Sequence, residues 1–164
     1  MKVNISNYKS HKVIKKRKEE VRIDEWDTFS LDHTLALIIY PALVKFKEAR
    51  KKMPGVPSPF FEDGDELDEH GHHTRKALNI AEKRYIKFID ECIWAFGEIA
   101  RNNPGEKKFF KKNGKKRKTK KLENGGSEII ETGLDFDKEG HTKYYKRLEA
   151  ATEAFGKNFQ TFWW

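Results

Sequence analysis

Three stretches of this chain repeat apolar residues at steps of three and four, and they predict three principal helices. The first helix is expected to begin after Asp27 or Ser30, because either side chain can accept from the free backbone N–H groups at a helix start. Its apolar stripe consists of Leu31, Leu35, Ile38, Ile39, Ala42, Leu43 and Phe46. The opposite side is also apolar, with Leu37, Tyr40 and Val44. We therefore expect this helix to be the central, buried one, kinked or divided at Pro41.

The other two predicted helices carry an apolar stripe on one face. The second is predicted over residues 74–101, with Thr74 as its N-cap and Asn102-Asn103-Pro104-Gly105 as its end. Its stripe consists of Leu78, Ala81, Tyr85, Phe88, Ile89, Cys92, Phe96 and Ile99. The third is predicted over residues 140–163, with a stripe of Tyr144, Leu148, Ala151, Phe155, Phe159 and Phe162.

The segments outside these helices have other patterns. Residues 1–20 are a basic N-terminal arm with short strand-like pieces around it, and residues 53–73 are rich in proline and acids, which predicts a loop. Residues 106–134 combine a basic run with a Gly-rich turn beside β-branched residues, which predicts a β-hairpin-like excursion. We expect residues 1–164 to form a single, mainly α domain, a small bundle of three principal helices with minor N-terminal strand material.

The positive charge of the chain is concentrated in one segment. The formal net charge is +8, and ten basic residues lie within 107–121 without any acid, so the rest of the chain carries −2. Phosphate backbones attract such a run through counterion release, and Phe109 and Phe110 can stack on bases. A solvated loop and a site for an acidic protein surface are the alternatives. The ten residues are Lys107, Lys108, Lys111, Lys112, Lys115, Lys116, Arg117, Lys118, Lys120 and Lys121.

Composition narrows the class of protein. Aromatic residues make up 13% of the chain, which is too many for a disordered protein. The single cysteine, Cys92, excludes an intrachain disulfide framework and is typical of a reducing compartment. The N-terminus lacks the apolar core of a signal peptide, and the longest apolar run, 35–44, is shorter than the ~20 residues of a membrane span. These features predict a protein of the cytoplasm.

Three short motifs follow one another along the predicted helices: VRIDEWDTFSLDHTLALII at 21–39, IDECIWAF at 89–96 and FGKNF at 155–159. In this order they resemble a family of small proteins encoded by tailed bacteriophages, whose first motif reads roughly RID-x-WDTWSMDHTLAxIILPML. The resemblance implies a phage origin and expression in the cytoplasm of a bacterial host. It implies no particular activity and no cofactor.

Polar residues on the first two helices are the candidates for metal or acid–base chemistry. Asp27, Asp32 and His33 lie at the start of the first helix, and Asp90, Glu91 and Glu98 lie on the second. Facing helices that supply carboxylates and histidine can hold a metal ion, which makes a metal-dependent hydrolase one hypothesis. The other interpretation is helix capping for Asp27 and Asp32 and a surface or polar-network role for the others, since the spacing differs from the Glu-x-x-His of di-iron bundles.

Three further features have both a functional and a structural interpretation. His70-Gly71-His72-His73 lies near several acids and can bind Zn²⁺, although a solvated loop is the simpler interpretation. Cys92 is expected to be an inert buried thiol. A further set of aromatics is expected in the core rather than in a ligand pocket. These are Trp26, Phe29, Trp94, Trp163 and Trp164.

Three functions remain open on the sequence alone. The first is a phage accessory or host-interaction protein that binds a host or phage macromolecule without catalysis, since no nucleotide-binding glycine loop, nucleophile elbow or zinc-protease motif appears. The second is a nucleic-acid-binding protein that uses residues 107–121. The third is the metal-dependent hydrolase that uses Asp32, His33, Asp90 and Glu91. No cofactor and no membrane partner is assigned.

Overall fold

The computed structural model describes residues 2–5, 19–52, 55–113, 115, 118–131 and 133–162. Within them lie three long helices, α1 (Leu31–Arg50), α2 (Arg75–Ala100) and α3 (Lys138–Lys157). The mainly α class and the packing of three principal helices are therefore confirmed. The short strands are β1 (Lys2–Ile5), β2 (Glu19–Arg22), β3 (Phe110–Lys112), β4 (Lys118–Lys121), β5 (Ser127–Glu131) and β6 (Leu134–Phe136).

Helix α2 begins and ends where the sequence predicts. The hydroxyl of Thr74 accepts a hydrogen bond from the backbone N–H of Ala77 at 3.3 Å, which caps the helix start. At the other end, Asn102 and Asn103 have the left-handed φ values of 56° and 51°, which an α-helix of L-residues does not continue. The stripe between these ends buries Ala81, Tyr85, Ile89, Cys92 and Phe96.

The central helix is α2, and not α1 as the apolar pattern predicts. Helix α2 packs against α1 on one side and against α3 on the other. Helix α1 is buried on one side only, where Ala36 and Leu43 join a cluster around Cys92. The expectation of a fully buried α1 is wrong, because an apolar residue is buried only where a neighbouring element covers it. The exposed leucines of α1 are Leu31, Leu35 and Leu37.

Helix α1 runs unbroken through Pro41, so the helix is not divided there. Pro41 lies on the exposed side, and the contacts of both halves with α2 hold the helix together despite the hydrogen bond that proline removes. The helix begins directly after Ser30, whose side chain makes no capping hydrogen bond. Asp27 belongs to the preceding 3-10 turn Glu25–Thr28, where its carboxylate accepts from the backbone N–H of Asp24 at 2.9 Å.

An arginine ties the loop before α2 to that helix. Arg84 donates to the carboxylate of Asp65 at 2.7 Å and to that of Glu62 at 2.8 Å. Beside it, the ring of Phe60 lies 4.5 Å from that of Tyr85, measured between centroids. The predicted loop thus covers the N-terminal half of α2.

Helix α3 starts and ends earlier than the sequence predicts. The carboxylate of Asp137 caps it by accepting from the backbone N–H of Gly140 at 2.8 Å. After Lys157 the chain makes the 3-10 turn Phe159–Thr161, and the carbonyl of Thr161 accepts from the hydroxyl of Tyr85 at 2.7 Å. Trp163 and Trp164 lie outside the described residues.

The predicted N-terminal strand material is also present. Strand β1 pairs antiparallel with β2, with Val3 opposite Val21. Most of the predicted basic arm, residues 6–18, lies outside the described part of the chain. None of the helices in the described part combines the length and the apolar character needed to cross a membrane.

Candidate functional site

The described residues of the basic segment form two short antiparallel strand pairs, and we call residues 110–113, 115, 118–131 and 133–136 together the ribbon. Strand β3 pairs antiparallel with β6, and β4 pairs antiparallel with β5. A tight turn joins β4 to β5, in which the backbone N–H of Leu122 donates to the carbonyl of Gly126 at 2.8 Å and Gly125 has a φ of 81°. The predicted hairpin is confirmed. It extends into the basic run, so β3 and β4 are paired strands and not loop, while their side chains are exposed to solvent as the solvated-loop interpretation expects.

The two chain ends of the ribbon, before β3 and after β6, are both joined to helices. The helical turn Pro104–Phe109 leads from α2 into β3, and Asp137 follows β6 and caps α3. The backbone N–H of Asp137 donates to the carbonyl of Phe109 at 2.9 Å, which closes the root of the ribbon. The ribbon therefore begins where α2 ends and α3 starts.

In each half of the ribbon, one face carries lysines that lie opposite acids of the neighbouring strand. Residues directly opposite in an antiparallel pair lie on the same face, and opposite charges there attract. We call this the paired face, and its acids lower its net positive charge. Its cross-strand pairs are Lys111–Asp135 and Lys120–Glu128.

In each half of the ribbon the other face combines lysines with apolar residues, and we call these two surfaces together the open face. Side chains two residues apart on a strand lie on the same side, so Phe110 and Lys112 share this face. Its lysines lie opposite residues that are not acids. The cross-strand pairs of the open face are Phe110–Phe136, Lys112–Leu134, Thr119–Ile129 and Lys121–Ser127.

Of the two phenylalanines that the sequence assigns to base stacking, only Phe110 is accessible. The ring of Phe110 is 44% exposed and stacks on that of Phe136, which is 47% exposed, at 5.0 Å between centroids. Phe109 is only 6% exposed, since its ring packs 5.7 Å from that of Tyr144. The stacking role expected of Phe109 is wrong because Phe109 ends the helical turn before β3, where its ring packs against α3.

The aromatic contact continues from the ribbon onto α3. The ring of His141 lies 5.0 Å from that of Phe136 and 4.7 Å from that of Tyr145. We call Phe110, Phe136, His141 and Tyr145 the aromatic track. Sequence reasoning missed its last three members, because only the pairing of β3 with β6 brings them beside Phe110. The alternation of apolar and charged residues in 134–136 was the available signal.

A buried carboxylate lies beneath the root of the ribbon. Glu98 of α2 accepts from the hydroxyl of Tyr144 at 2.7 Å and from the backbone N–H of Gly105 at 2.8 Å. Burial, and then the neighbouring Glu98, raises the pKa of the Tyr144 phenol above its ordinary value. Glu98 thus links α2, the turn before β3 and α3.

The other basic residues of the candidate set lie around the ribbon. Lys107 and Lys108 precede β3 in the turn Pro104–Phe109, and the Lys108 ammonium lies 4.9 Å from the centroid of the Phe109 ring. Lys115 lies between β3 and β4. Lys116 and Arg117 lie outside the described residues.

The candidate metal residues on α2 contact two different helices. Asp90 pairs with Lys47 of α1. Glu91 accepts two hydrogen bonds from the guanidinium of Arg147 on α3, at 2.8 and 2.9 Å. Arg147 holds the pKa of the Glu91 carboxyl below its usual value. Each carboxylate is therefore engaged by a cation, and the two are engaged on different sides of α2.

The candidate residues at the start of α1 are separated from Asp90 and Glu91. The Nδ1 atom of His33 is 3.0 Å from the carbonyl oxygen of Ile99, nine residues and roughly 13 Å along α2 from Asp90. Asp27 serves the preceding turn, and Asp32 lies in the first turn of α1, where the helix dipole favours a negative charge. The five candidates do not converge, and the described residues contain no group of three or more His, Cys, Asp or Glu side chains that could hold a metal ion.

The histidine-rich segment takes part in the structure of its own loop. The carboxylate of Asp68 accepts from the backbone N–H groups of His70 and His72, both at 2.9 Å. The ring of His73 stacks on that of Phe61 at 3.9 Å between centroids.

Three tryptophan and phenylalanine candidates for the core have different environments. Trp26 and Phe29 lie at the surface and stack on each other at 5.0 Å, so the expectation that they join the core is wrong. Trp94 lies between helices, with the Arg147 guanidinium 3.9 Å from its ring centroid. Cys92 is buried as predicted, and burial raises the pKa of its thiol to about 12.

Comparison of the chain with protein-family models, curated proteins and solved structures finds no match in any of the three.

Proposed function

We propose that the protein binds another macromolecule without catalysing a reaction, and that this macromolecule is a nucleic acid held on the open face of the ribbon. The observation that carries the proposal is the arrangement of the lysines. Lys112 and Lys121 lie opposite Leu134 and Ser127, whereas the lysines of the paired face lie opposite acids. The open face thus presents positive charge that the ribbon itself does not offset.

The shape and charge of the ribbon support a polyanionic partner. Residues 110–136 carry a net charge of +4, and the described side chains of β3, β4 and β6 are exposed. Two-stranded ribbons are established elements of nucleic-acid recognition, and lysines contribute by displacing counterions from phosphates. The resemblance to phage proteins favours a partner inside an infected bacterium, so we place the protein in the cytoplasm of the host as a phage accessory protein.

Salt-dependent binding to labelled oligonucleotides tests this proposal. Fluorescence anisotropy between about 50 and 200 mM NaCl is expected to give an affinity that falls steeply with salt. Replacement of Lys112 and Lys121, the two lysines of the open face, by glutamine is expected to reduce the slope of log affinity against log salt by about 1.4, since each phosphate contact to a single strand contributes about 0.7.

A second double substitution with the same change in charge provides the control. Lys76 and Lys83 are exposed on α2 and outside the ribbon, and their replacement by glutamine is expected to leave the slope nearly unchanged. Equal losses in the two variants would show a response to total charge alone and would contradict the proposal. Absence of binding to any oligonucleotide, together with specific capture of an acidic host protein, would replace nucleic acid by protein as the partner.

A further inference from the structure

The open face of the ribbon is more than a row of lysines. Near the root it exposes the stacked rings of Phe110 and Phe136, and Lys112 lies two residues from Phe110 on the same face. Successive residues of a strand are about 3.3 Å apart, so Lys112 lies roughly 7 Å further along the ribbon than Phe110. Positive charge and exposed aromatic surface are therefore neighbours.

Side chains of α3 and of the turn before β3 hold the exposed rings in place. Phe136 contacts His141 at 5.0 Å, and the Nε2 atom of His141 lies 3.1 Å from the carboxylate of Glu106 in the turn before β3. Tyr145 lies one helical turn further along α3 and contacts the same imidazole. These contacts fix the positions of the rings in the aromatic track, which lowers the entropic cost of stacking a planar ligand on them.

These two features distinguish between forms of nucleic acid. In a duplex the faces of the bases are covered by their neighbours, so an aromatic ring beside the backbone has no π surface to contact. In a single strand each base can unstack and lie on an aromatic side chain while its phosphate meets a lysine. A basic surface that carried only phosphate contacts would gain nothing from exposing two phenylalanines.

We infer that the nucleic acid is single-stranded and that its bases stack on the aromatic track, starting at Phe110 and Phe136. This inference rests on the proposed function and adds the form of the ligand to it. Stacking of a base on an aromatic residue typically changes affinity by a factor of about 5 to 150.

Three probes of equal length separate stacking from charge: oligothymidine of about 20 nucleotides, the same backbone with abasic sites throughout, and a duplex. Oligothymidine is expected to bind at least about tenfold more tightly than the abasic strand, since only the bases differ. It is also expected to bind more tightly than the duplex, despite its lower charge density. Equal affinity for oligothymidine and the abasic strand would overturn the inference.

Matched substitutions locate the stacking site. Phe136→Leu keeps an apolar side chain on the ribbon and removes the π face, and it is expected to weaken oligothymidine binding roughly tenfold while binding of the abasic strand stays the same. Phe159→Leu is the control, since Phe159 is 64% exposed and lies beyond the far end of α3, about 30 Å from its start.

The outcomes separate this inference from the proposed function. If binding depends on salt and on Lys112 and Lys121, but Phe136→Leu leaves it unchanged, the stacking site is wrong and a phosphate-binding ribbon is retained. If Phe136→Leu loses binding to all three probes and its circular dichroism spectrum is altered, the variant has not folded normally. Phe110→Leu is then the second variant. If that variant folds and binds oligothymidine normally, the inference is wrong.

Discussion

Tyr144 and Glu98 are joined by a hydrogen bond of 2.7 Å beneath the root of the ribbon, and both residues are buried. A phenol in this position resists ionisation, because the phenolate would lose solvation and would lie beside a carboxylate. Burial also raises the pKa values of Tyr85 and Tyr145. The acid–base behaviour of these tyrosines thus reports on the packing of α2 against its neighbours.

We predict that Tyr85, Tyr144 and Tyr145 titrate at higher pH in the folded protein than in urea, where tyrosines titrate near pH 10. A raised pKa in the fold favours the neutral phenol, so its contribution to stability is complete below pH 10 and is lost as the pH rises through the raised value. Ultraviolet absorbance of the phenolates measures both states.

The variant Tyr144→Phe shows which part of the phenol titration belongs to Tyr144. It is expected to remove one of the late-titrating phenols and to make the free energy of unfolding less dependent on pH above 10. Five phenols that ionise together near pH 10 in the folded protein would show that Tyr144 is not buried against Glu98.

The apolar pattern of helix α1 does not show which side of the helix is buried. Its sequence is apolar on all sides, yet α2 covers only one of them. The adjacent residues Leu35 and Ala36 are 44% and 0% exposed, so the smaller residue occupies the interface. Alanine at that position allows the two helices to approach each other closely, and the larger leucine lies outside the contact.

We predict opposite sensitivities at these two neighbouring positions. Ala36→Leu is expected to lower the free energy of unfolding by about 1–3 kcal/mol, because the added methyl groups have no space between α1 and α2. Leu35→Ala is expected to cost about 1 kcal/mol or less, since much of that side chain is already in water. Urea unfolding of both variants measures the difference. A larger loss for Leu35→Ala than for Ala36→Leu would place the interface on the other side of α1.

On the scale of the whole molecule, the ribbon and the helices have separate roles. The helices supply the buried core, and the ribbon is attached through its root at Phe109 and Asp137. The described side chains of β4 are exposed, so this part of the ribbon adds little to the core. Such a segment can be shortened with little effect on the free energy of folding.

We predict that residues 113–133 can be replaced by an Asn-Gly turn between Lys112 and Leu134, which are opposite each other in the sheet. The shortened chain is expected to keep its helical circular dichroism and to unfold within about 5 °C of the full chain. Its binding to oligonucleotides is expected to fall sharply, since the five lysines and Arg117 within 115–121 would be removed. Loss of the helical signal would show that the ribbon is part of the core.

The candidate site was predictable in part. The lysine run and Phe110 are visible in the sequence because charge and residue type are local properties. The division into a paired and an open face depends on which residue of β6 lies opposite which residue of β3, and a shift of one residue would exchange the faces. The roles of Phe136 and His141 follow from that register and from the start of α3, so spacing alone did not reveal them.

The sequence by itself determined the three helices, the cap and the end of α2 and the hairpin, because these depend on residues close together in the chain. Only the tertiary structure decided that α2 is central, that Leu35 and Trp26 are exposed, and that Glu98 is buried beneath the ribbon. It also decided that Asp90 and Glu91 contact cations on different helices and not His33. The physical reason is that burial and pairing depend on which elements meet in space, and an apolar or charged pattern states only which contacts each element can make.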